Sequence, residues 1–266
     1  MELGLAGKTV IVTGGGSNIG RGISLAFAGE KSNVVIAEID PGQGEKVAAE
    51  GSKLGGKCTC IPTDVTDWDS VQAMVKKAVD TFGTVDVLVN NVGWTFERLF
   101  IEKPREEWEK EIQLNLWGMI NCTRAVLDYM IAQKGGSIVS LGSDAGRMGE
   151  YREAVYAGCK GAVISITKTL AREVGRYSIR LNVVCPGTTM PDNPEEEVGS
   201  QSMWGSGGFG ASWNTPEIRE RIAKVYPLRR IGTGQDIGKA VVFLASDAAS
   251  FITGQTLSVS GGYTMM

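Results

Sequence analysis

Lys8-Thr9-Val10-Ile11-Val12-Thr13-Gly14-Gly15-Gly16-Ser17-Asn18-Ile19-Gly20 is the stretch on which the reading of this chain turns. A short β-branched apolar run stops abruptly in three glycines, and the segment from Arg21 to Lys31 then spaces Ile23, Leu25, Ala26 and Phe27 as a helix does. The glycines therefore sit at a strand-to-helix turn. Such a turn lets bare backbone approach a diphosphate, while the free N–H groups of the helix N-terminus supply donors and positive potential. A second apolar run, Asn33 to Ala37, ends in Glu38, which completes the strand, glycine turn, helix, strand and acid order of a dinucleotide site.

A carboxylate at the end of the second strand accepts hydrogen bonds from the adenosine ribose hydroxyls and repels a 2′-phosphate, where a phosphate-binding site would offer Arg or Lys. Glu38 thus argues for NAD in preference to NADP, and Ile39 directly after it adds no cation. Asn18 stands in the turn where positive φ is needed. Asn tolerates that conformation best among residues with a side chain, so the turn is expected to survive.

Further along, Tyr156 and Lys160 lie four residues apart in Ala-Val-Tyr-Ala-Gly-Cys-Lys, with Ser143 upstream. On a helix the two share a face and can act on one site. A free tyrosine titrates near 10, and a nearby cation lowers such a pKa by roughly 1 to 3, towards the range of a working acid or base. Any long helix carries such a pair by chance, so the pair alone is weak. The chain has no histidine, which excludes Ser-His-Asp hydrolysis, His-based proton shuttling and nearly all catalytic zinc sites; no metal is expected. Tyrosine gains by elimination.

Apolar strand-like runs near 8–13, 33–38, 57–61, 86–90, 136–142, 179–185 and 256–260 alternate with helix-like segments. Strands separated by helices of this length imply right-handed crossovers and a parallel sheet covered on both faces, so the expectation is an α/β, Rossmann-type doubly wound sheet of seven strands. In such sheets ligands bind beyond the carboxyl ends of the strands, and the glycine turn, Glu38, Asp64, Asn90, Ser143 and Pro186-Gly187 all follow expected strands.

These motifs together resemble the short-chain dehydrogenase/reductase family over nearly the whole chain. Thr13-Gly14, Asn18 and Gly20 stand for its Thr-Gly-x-x-x-Gly-x-Gly, with Asn18 replacing the middle glycine; Asn90-Asn91-Val92-Gly93 resembles its Asn-Asn-Ala-Gly; Asn115, Ser143, Tyr156 and Lys160 fall at its catalytic positions; Cys185-Pro186-Gly187 resembles its Pro-Gly turn. The resemblance implies that Gly14, Ser17, Asn18, Ile19 and Gly20, with Val92, Gly93, Pro186, Gly187 and Thr188, line the cofactor site. Ser17 is neutral where NADP-using relatives commonly carry a basic residue. Asp64 with Val65 would hold the adenine, and Asn90 would approach the adenosine ribose. It implies that Tyr156 exchanges the proton of a carbinol or carbonyl oxygen as hydride passes to or from the nicotinamide, that Ser143 hydrogen-bonds the same oxygen, that Lys160 lowers the tyrosine pKa and holds the nicotinamide ribose, and that Asn115 anchors a proton-relaying water.

For the substrate, the stretch from Pro186 to Arg219 has no Lys or Arg between those ends, five acids (Asp192, Glu195, Glu196, Glu197, Glu217) and a Gly-Ser-rich middle bearing Met203, Trp204, Phe209 and Trp213. Within a single domain spanning 1–266, this segment at about 187–225 is expected to cover the substrate; the bland alternative is a surface insertion whose aromatics pack on the body. Trp94 is expected in the same pocket. The stretches Ser143–Arg147, Glu153–Lys160 and Asn182–Gly187 with the tail from Leu257 are similar to dehydrogenases of alicyclic hydroxyacyl-CoA thioesters, in which case Arg147 and Arg152 would meet the phosphates. The acidic cover argues the other way, so a neutral cyclic or aromatic secondary alcohol ranks level with the thioester.

A 266-residue chain with 42% apolar content can bury one substantial core, and a net charge of −3 with no cationic run makes nucleic acid an unsuitable partner. No stretch reaches the roughly 18 to 20 apolar residues of a membrane span, and the N-terminus lacks an apolar signal region. The five cysteines are odd in number and form no C-x-x-C pair, which fits reduced thiols in a cytoplasmic protein. Two other classes stay open: a cofactor-binding regulatory protein without turnover, and a nucleotide-sugar epimerase or dehydratase of the same fold, although such chains carry a separate substrate lobe. The segments Trp108–Met130 and Ala154–Val174 are apolar on more than one face, and the family resemblance implies that they pair between subunits in a homotetramer.

Overall fold

The computed structural model describes residues 2–205 and 208–266, with the side chains at 209 and 211 outside the description. The seven expected runs are all strands, each within one residue of the limits read from the sequence: β1 (Thr9–Thr13), β2 (Asn33–Glu38), β3 (Lys57–Pro62), β4 (Val87–Asn90), β5 (Gly136–Leu141), β6 (Ile179–Pro186) and β7 (Thr256–Val259). They form one parallel sheet in the order β3-β2-β1-β4-β5-β6-β7.

Helices α1 (Asn18–Gly29), α2 (Pro41–Ser52), α3 (Trp68–Phe82), α4 (Arg105–Ile112), α5 (Gly118–Gln133), α6 (Ala145–Met148), α7 (Ala154–Val174), α8 (Pro194–Glu197), α9 (Pro216–Ala223) and α10 (Gly234–Ala245) follow in chain order. Strand alternation sorts the core. Val10 and Val12 pack with Ile23 and Phe27 of α1 and with Ile237 and Val241 of α10, whereas Ile11 faces Val71 and Met74 of α3 and Cys122 and Val126 of α5. β1, β2, β4, β5 and β6 are buried on both faces, which is why they read as continuous apolar runs rather than alternating ones, whereas the edge strands β3 and β7 are half-exposed.

Local signals set the helix ends. Asp40 caps α2 by accepting from Gln43 N at 3.2 Å, with Pro41 in the first turn, and Thr233 and Asp236 form a reciprocal capping box on α10. Between α4 and α5 the chain widens without breaking: over Gln113–Trp117 it makes a π turn, with Gly118 N bonded to Gln113 O.

The strand order reverses between β1 and β4, so a crevice opens there beyond the carboxyl ends of the strands. The long connection from β6 to α10 passes above this crevice, with the parallel bridge between Thr189 and Gly232 drawing its two ends together. Among the described residues, no helix is long and apolar enough to cross a membrane.

Candidate active site

One cavity of about 810 Å³ runs along the crevice from the glycine turn to the connection after β6. At one end the turn is built for close approach. Gly14 has φ 60°, and a Cβ on Gly20 would lie 1.9 Å from the Gly14 carbonyl oxygen. Asn18 takes φ 41°, the left-handed conformation expected of it. Its Nδ2 donates to Thr189 O at 3.2 Å, while its buried Oδ1 has no partner among the described residues. Asn91 secures the turn from β4, its Nδ2 donating to Thr13 O and Gly14 O at 3.0 and 3.1 Å. A bare cradle with an orphaned acceptor fits a dinucleotide: Gly14, Ser17, Asn18, Ile19 and Gly20 would face its diphosphate, and all line the cavity.

Glu38 closes the glycine-turn end, where the adenosine of such a dinucleotide would lie. It is 7% exposed, yet its carboxylate accepts from Gly16 N at 3.0 Å and Ile39 N at 2.9 Å. Burial raises its pKa and these backbone bonds oppose the rise. Asp64 and Val65 line the same end, Asp64 accepting from the Thr66 N–H and hydroxyl at 2.8 and 2.7 Å. Asn90 departs from expectation. As the last residue of β4 it turns into the protein, where Nδ2 donates to Thr123 Oγ1 and Ser140 Oγ, and it is Asn91, Val92 and Gly93 that line the cavity.

At the cavity floor Ser143, Tyr156 and Lys160 come together with Pro186, Gly187 and Thr188 on the adjoining wall. Lys160 Nζ lies 5.5 Å from the centre of the Tyr156 ring and donates to Leu141 O at 2.9 Å. Burial dominates here: it raises the Tyr156 pKa, helped by the Glu153 charge and opposed by a hydrogen bond with Ser143, and it lowers Lys160 to about 8. Burial and the Glu153 charge thus act on the phenol against the lowering expected from the cation. Desolvation outweighs an ammonium that bonds a backbone carbonyl.

Asn115 stands in the π turn behind the wall, almost fully buried. Its Nδ2 donates to Trp94 O at 2.6 Å and Glu111 O at 2.9 Å, and its Oδ1 accepts from Trp94 N at 3.2 Å. A Cβ on Gly93 would stand 3.0 Å from Asn115 Oδ1 and 3.2 Å from Lys160 Nζ. The side chain thus fixes the Gly93-Trp94 backbone against Lys160. Glu111, one turn earlier, forms a buried ion pair with Lys103 and accepts from Thr95 Oγ1 at 3.1 Å, bracing the same segment.

Beyond Tyr156 the cavity is lined by Trp94, Met203, Trp204 and Trp213; the side chain of Phe209 lies outside the described residues. Arg147 and Arg152 do not line it. Arg147 turns away to Asp144 at 3.4 Å and Ser258 Oγ at 2.8 Å, and Arg152, at φ 70° in the turn before α7, is exposed. Their places are taken by carboxylates the sequence did not single out: Glu97, Glu150 and Glu153. Burial, then Glu97 and Glu150, push Glu153 up to about 7. Its place one turn before Tyr156 was the available signal.

A family model described as enoyl-(acyl carrier protein) reductase matches residues 14–264. The chain belongs to the short-chain dehydrogenase/reductase family. It is 35% identical over 261 residues to a 3-oxoacyl-[acyl-carrier-protein] reductase of Thermotoga maritima, covering 97% of this chain and 98% of that protein. It is 36% identical over 263 residues to the oxidoreductase UcpA of Salmonella typhimurium, covering 98% and 96%. A solved 7α-hydroxysteroid dehydrogenase, in complex with NADH and 7-oxo glycochenodeoxycholic acid, superposes with a TM-score of 0.87 at 31% identity over 98% of this chain and 96% of that one. This short-chain dehydrogenase/reductase is an oxidoreductase whose cavity joins the glycine turn to Ser143, Tyr156 and Lys160.

Proposed function

We propose that this short-chain dehydrogenase/reductase interconverts a secondary alcohol and a ketone with NAD(H), on a neutral cyclic or aromatic substrate. The observation that carries the reading is that Ser143, Tyr156 and Lys160 share one cavity with Glu38 at its opposite end. Nicotinamide, when bound, supplies or accepts the hydride. Tyr156 gives its proton to the carbonyl oxygen in reduction and takes it back in oxidation; Ser143 holds that oxygen, and Lys160 supports the charge on the phenol. Glu38, with no cation beside it at Ser17 or Ile39, favours a free ribose 2′-hydroxyl over a 2′-phosphate.

The substrate class rests on charge. At the substrate end Glu97, Glu150 and Glu153 outnumber the cation Lys110, which sits over the Trp94 ring at 4.2 Å, and the two candidate arginines do not line it, which disfavours an anionic substrate. Trp94, Trp204 and Trp213 offer flat apolar walls for a ring, and the segment at about 187–225 acts as the cover that excludes water. A thioester reading is the second, favoured by the names of the acyl-carrier-protein reductases among the relatives. The epimerase reading loses ground because, among the described residues, this cover and no second lobe overlies the sheet.

An assay of NADH and NADPH absorbance on purified protein, across cyclic alcohols, aryl alcohols and 3-oxoacyl or hydroxyacyl thioesters, tests the proposal. Turnover of a neutral cyclic or aromatic alcohol with NAD⁺ is expected. Turnover confined to thioesters would overturn the substrate assignment, and turnover confined to NADP⁺ the cofactor assignment. NADH binding without turnover of anything would favour the regulatory reading.

A further inference from the structure

The connection after β6 reaches well beyond the substrate end. Between residues 189 and 200 it crosses to the adenosine end and is fastened to both of its walls. On the glycine-turn side, Asn18 Nδ2 donates to Thr189 O and Gly199 N donates to Ser17 Oγ at 2.8 Å. On the β2–α2 side, Ser200 donates to Asp40 Oδ2 through both its N–H, at 3.0 Å, and its hydroxyl, at 2.8 Å, and Lys46 Nζ donates to Glu196 O at 2.7 Å. These bonds hold the Asp40 carboxyl below its ordinary range, the Ser200 hydroxyl having the largest effect.

Packing follows the same line. Gly199 is buried, and a Cβ there would come within 3.1 Å of Asp40 Oδ2 and of Gln43 Cβ. Gln43 in turn donates to Gly16 O at 2.7 Å, so the strand of backbone at Gly199 rests on the side chain that ties α2 to the glycine turn. Gly199 and Gln201 line the same cavity as Glu38. Covering an alcohol at Tyr156 requires none of these contacts.

We propose that Gly199 and Ser200, locked to Ser17 and Asp40, form a clasp across the adenosine ribose that retains the dinucleotide and limits its release. The clasp rests on the NAD reading given above. Met203 and Trp204 continue from it into the substrate end, so one segment closes over both ligands.

The test is the rate of NADH release, followed by the loss of NADH fluorescence on dilution into excess NAD⁺. Ser200→Ala removes the hydroxyl donor. Asp40→Asn keeps the Oδ1 acceptor that caps α2 and removes the Oδ2 acceptor that binds Ser200. Each is expected to speed release about fivefold, the scale of a net hydrogen bond. The double variant is expected to match the faster single one within about twofold, because both changes break the same contact. Glu195→Gln, an exposed change on the same segment away from the clasp, is expected to leave the rate unaltered.

Release from both single variants at the wild-type rate would overturn the clasp while leaving the cofactor assignment intact, as would effects that multiply in the double variant or an equal acceleration by Glu195→Gln. A wild-type protein that binds NADPH but not NADH would show a different failure, of the cofactor reading, and the clasp would fall with it.

Discussion

Lys160 Nζ bonds the Leu141 carbonyl oxygen rather than the Tyr156 hydroxyl, and faces the tyrosine ring from 5.5 Å. The ammonium is therefore anchored by the end of β5, the strand after which Ser143 follows. Its influence on the phenol acts through space, against the desolvation that both groups share.

Tyr156→Phe removes the exchangeable proton and leaves the cavity's shape. Turnover is expected to fall by about 10³-fold, with NADH affinity, read by fluorescence titration, within about twofold of wild type. Retention of more than about a tenth of the rate would show that another group carries the proton.

Lys160→Met exchanges a buried ammonium for an apolar side chain of similar length. Burial lowers Lys160 from 10.5 to about 8, so between those values the unfolded chain binds the extra proton and stability rises with pH. Below pH 8 the variant is expected to melt higher than wild type, with the gap closing as pH climbs towards 10.5. Turnover should be lost throughout. Thermal melts across this range read the first effect, and initial rates the second.

Glu153 rises from 4.5 to about 7 on folding, so the folded state holds the extra proton between those values and stability drops as pH rises through them. Glu153→Gln is expected to gain about 1 kcal/mol over wild type above pH 7 and nothing below pH 4.5, since solvent reaching the site screens part of the penalty. Loss of this charge also favours the Tyr156 phenolate, so the acid limb of the oxidation rate should move to lower pH. An unmoved limb would separate Glu153 from the proton chemistry.

Glu38→Ala is expected to weaken NADH binding and to narrow the preference over NADPH by at least about tenfold, measured as the ratio of the two dissociation constants. Part of the loss will come from the turn itself, because the carboxylate also holds Gly16 N and Ile39 N. Glu38→Gln, which retains one acceptor oxygen, is expected to lose less of the binding than of the discrimination.

Light scattering is expected to give four times the 28.3 kDa chain mass at micromolar concentration. Ile112 and Trp117, both in the Trp108–Met130 segment expected to pair between subunits, are exposed at 36% and 48%. A monomer at that concentration would leave them without a partner and overturn the tetramer.

The five central strands were legible because each is buried on both faces, and the half-exposed edge strands β3 and β7 because turns and helices bound their short runs, so all seven were marked within a residue. The cradle was legible because its geometry demands glycine at Gly14 and Gly20 and tolerates Asn18. What escaped was side-chain direction. Asn90 and Asn91 are adjacent and alike, and only the end of β4 decides that the first turns inward and the second meets the cavity. Arg147 and Arg152 looked like anion partners because charge has no direction in a sequence; Asp144 and Ser258, the latter far along the chain, claim the first. Glu153 went unremarked because its significance depends on Glu97 and Glu150, brought to it by separate turns.

The π turn at Gln113–Trp117 holds one residue more than an α-helix of the same span would need. Removing one residue there would let α4 run straight into α5 but would rotate everything on one side by about 100° relative to the other. Either Asn115 would swing off Trp94, or Cys122 and Val126 would leave the sheet. The bulge thus works as a phase adjuster: it lets the half of the rod that carries Asn115 and the core-packing half each keep the azimuth it needs, and a single deletion at this point should be far more damaging than its length suggests.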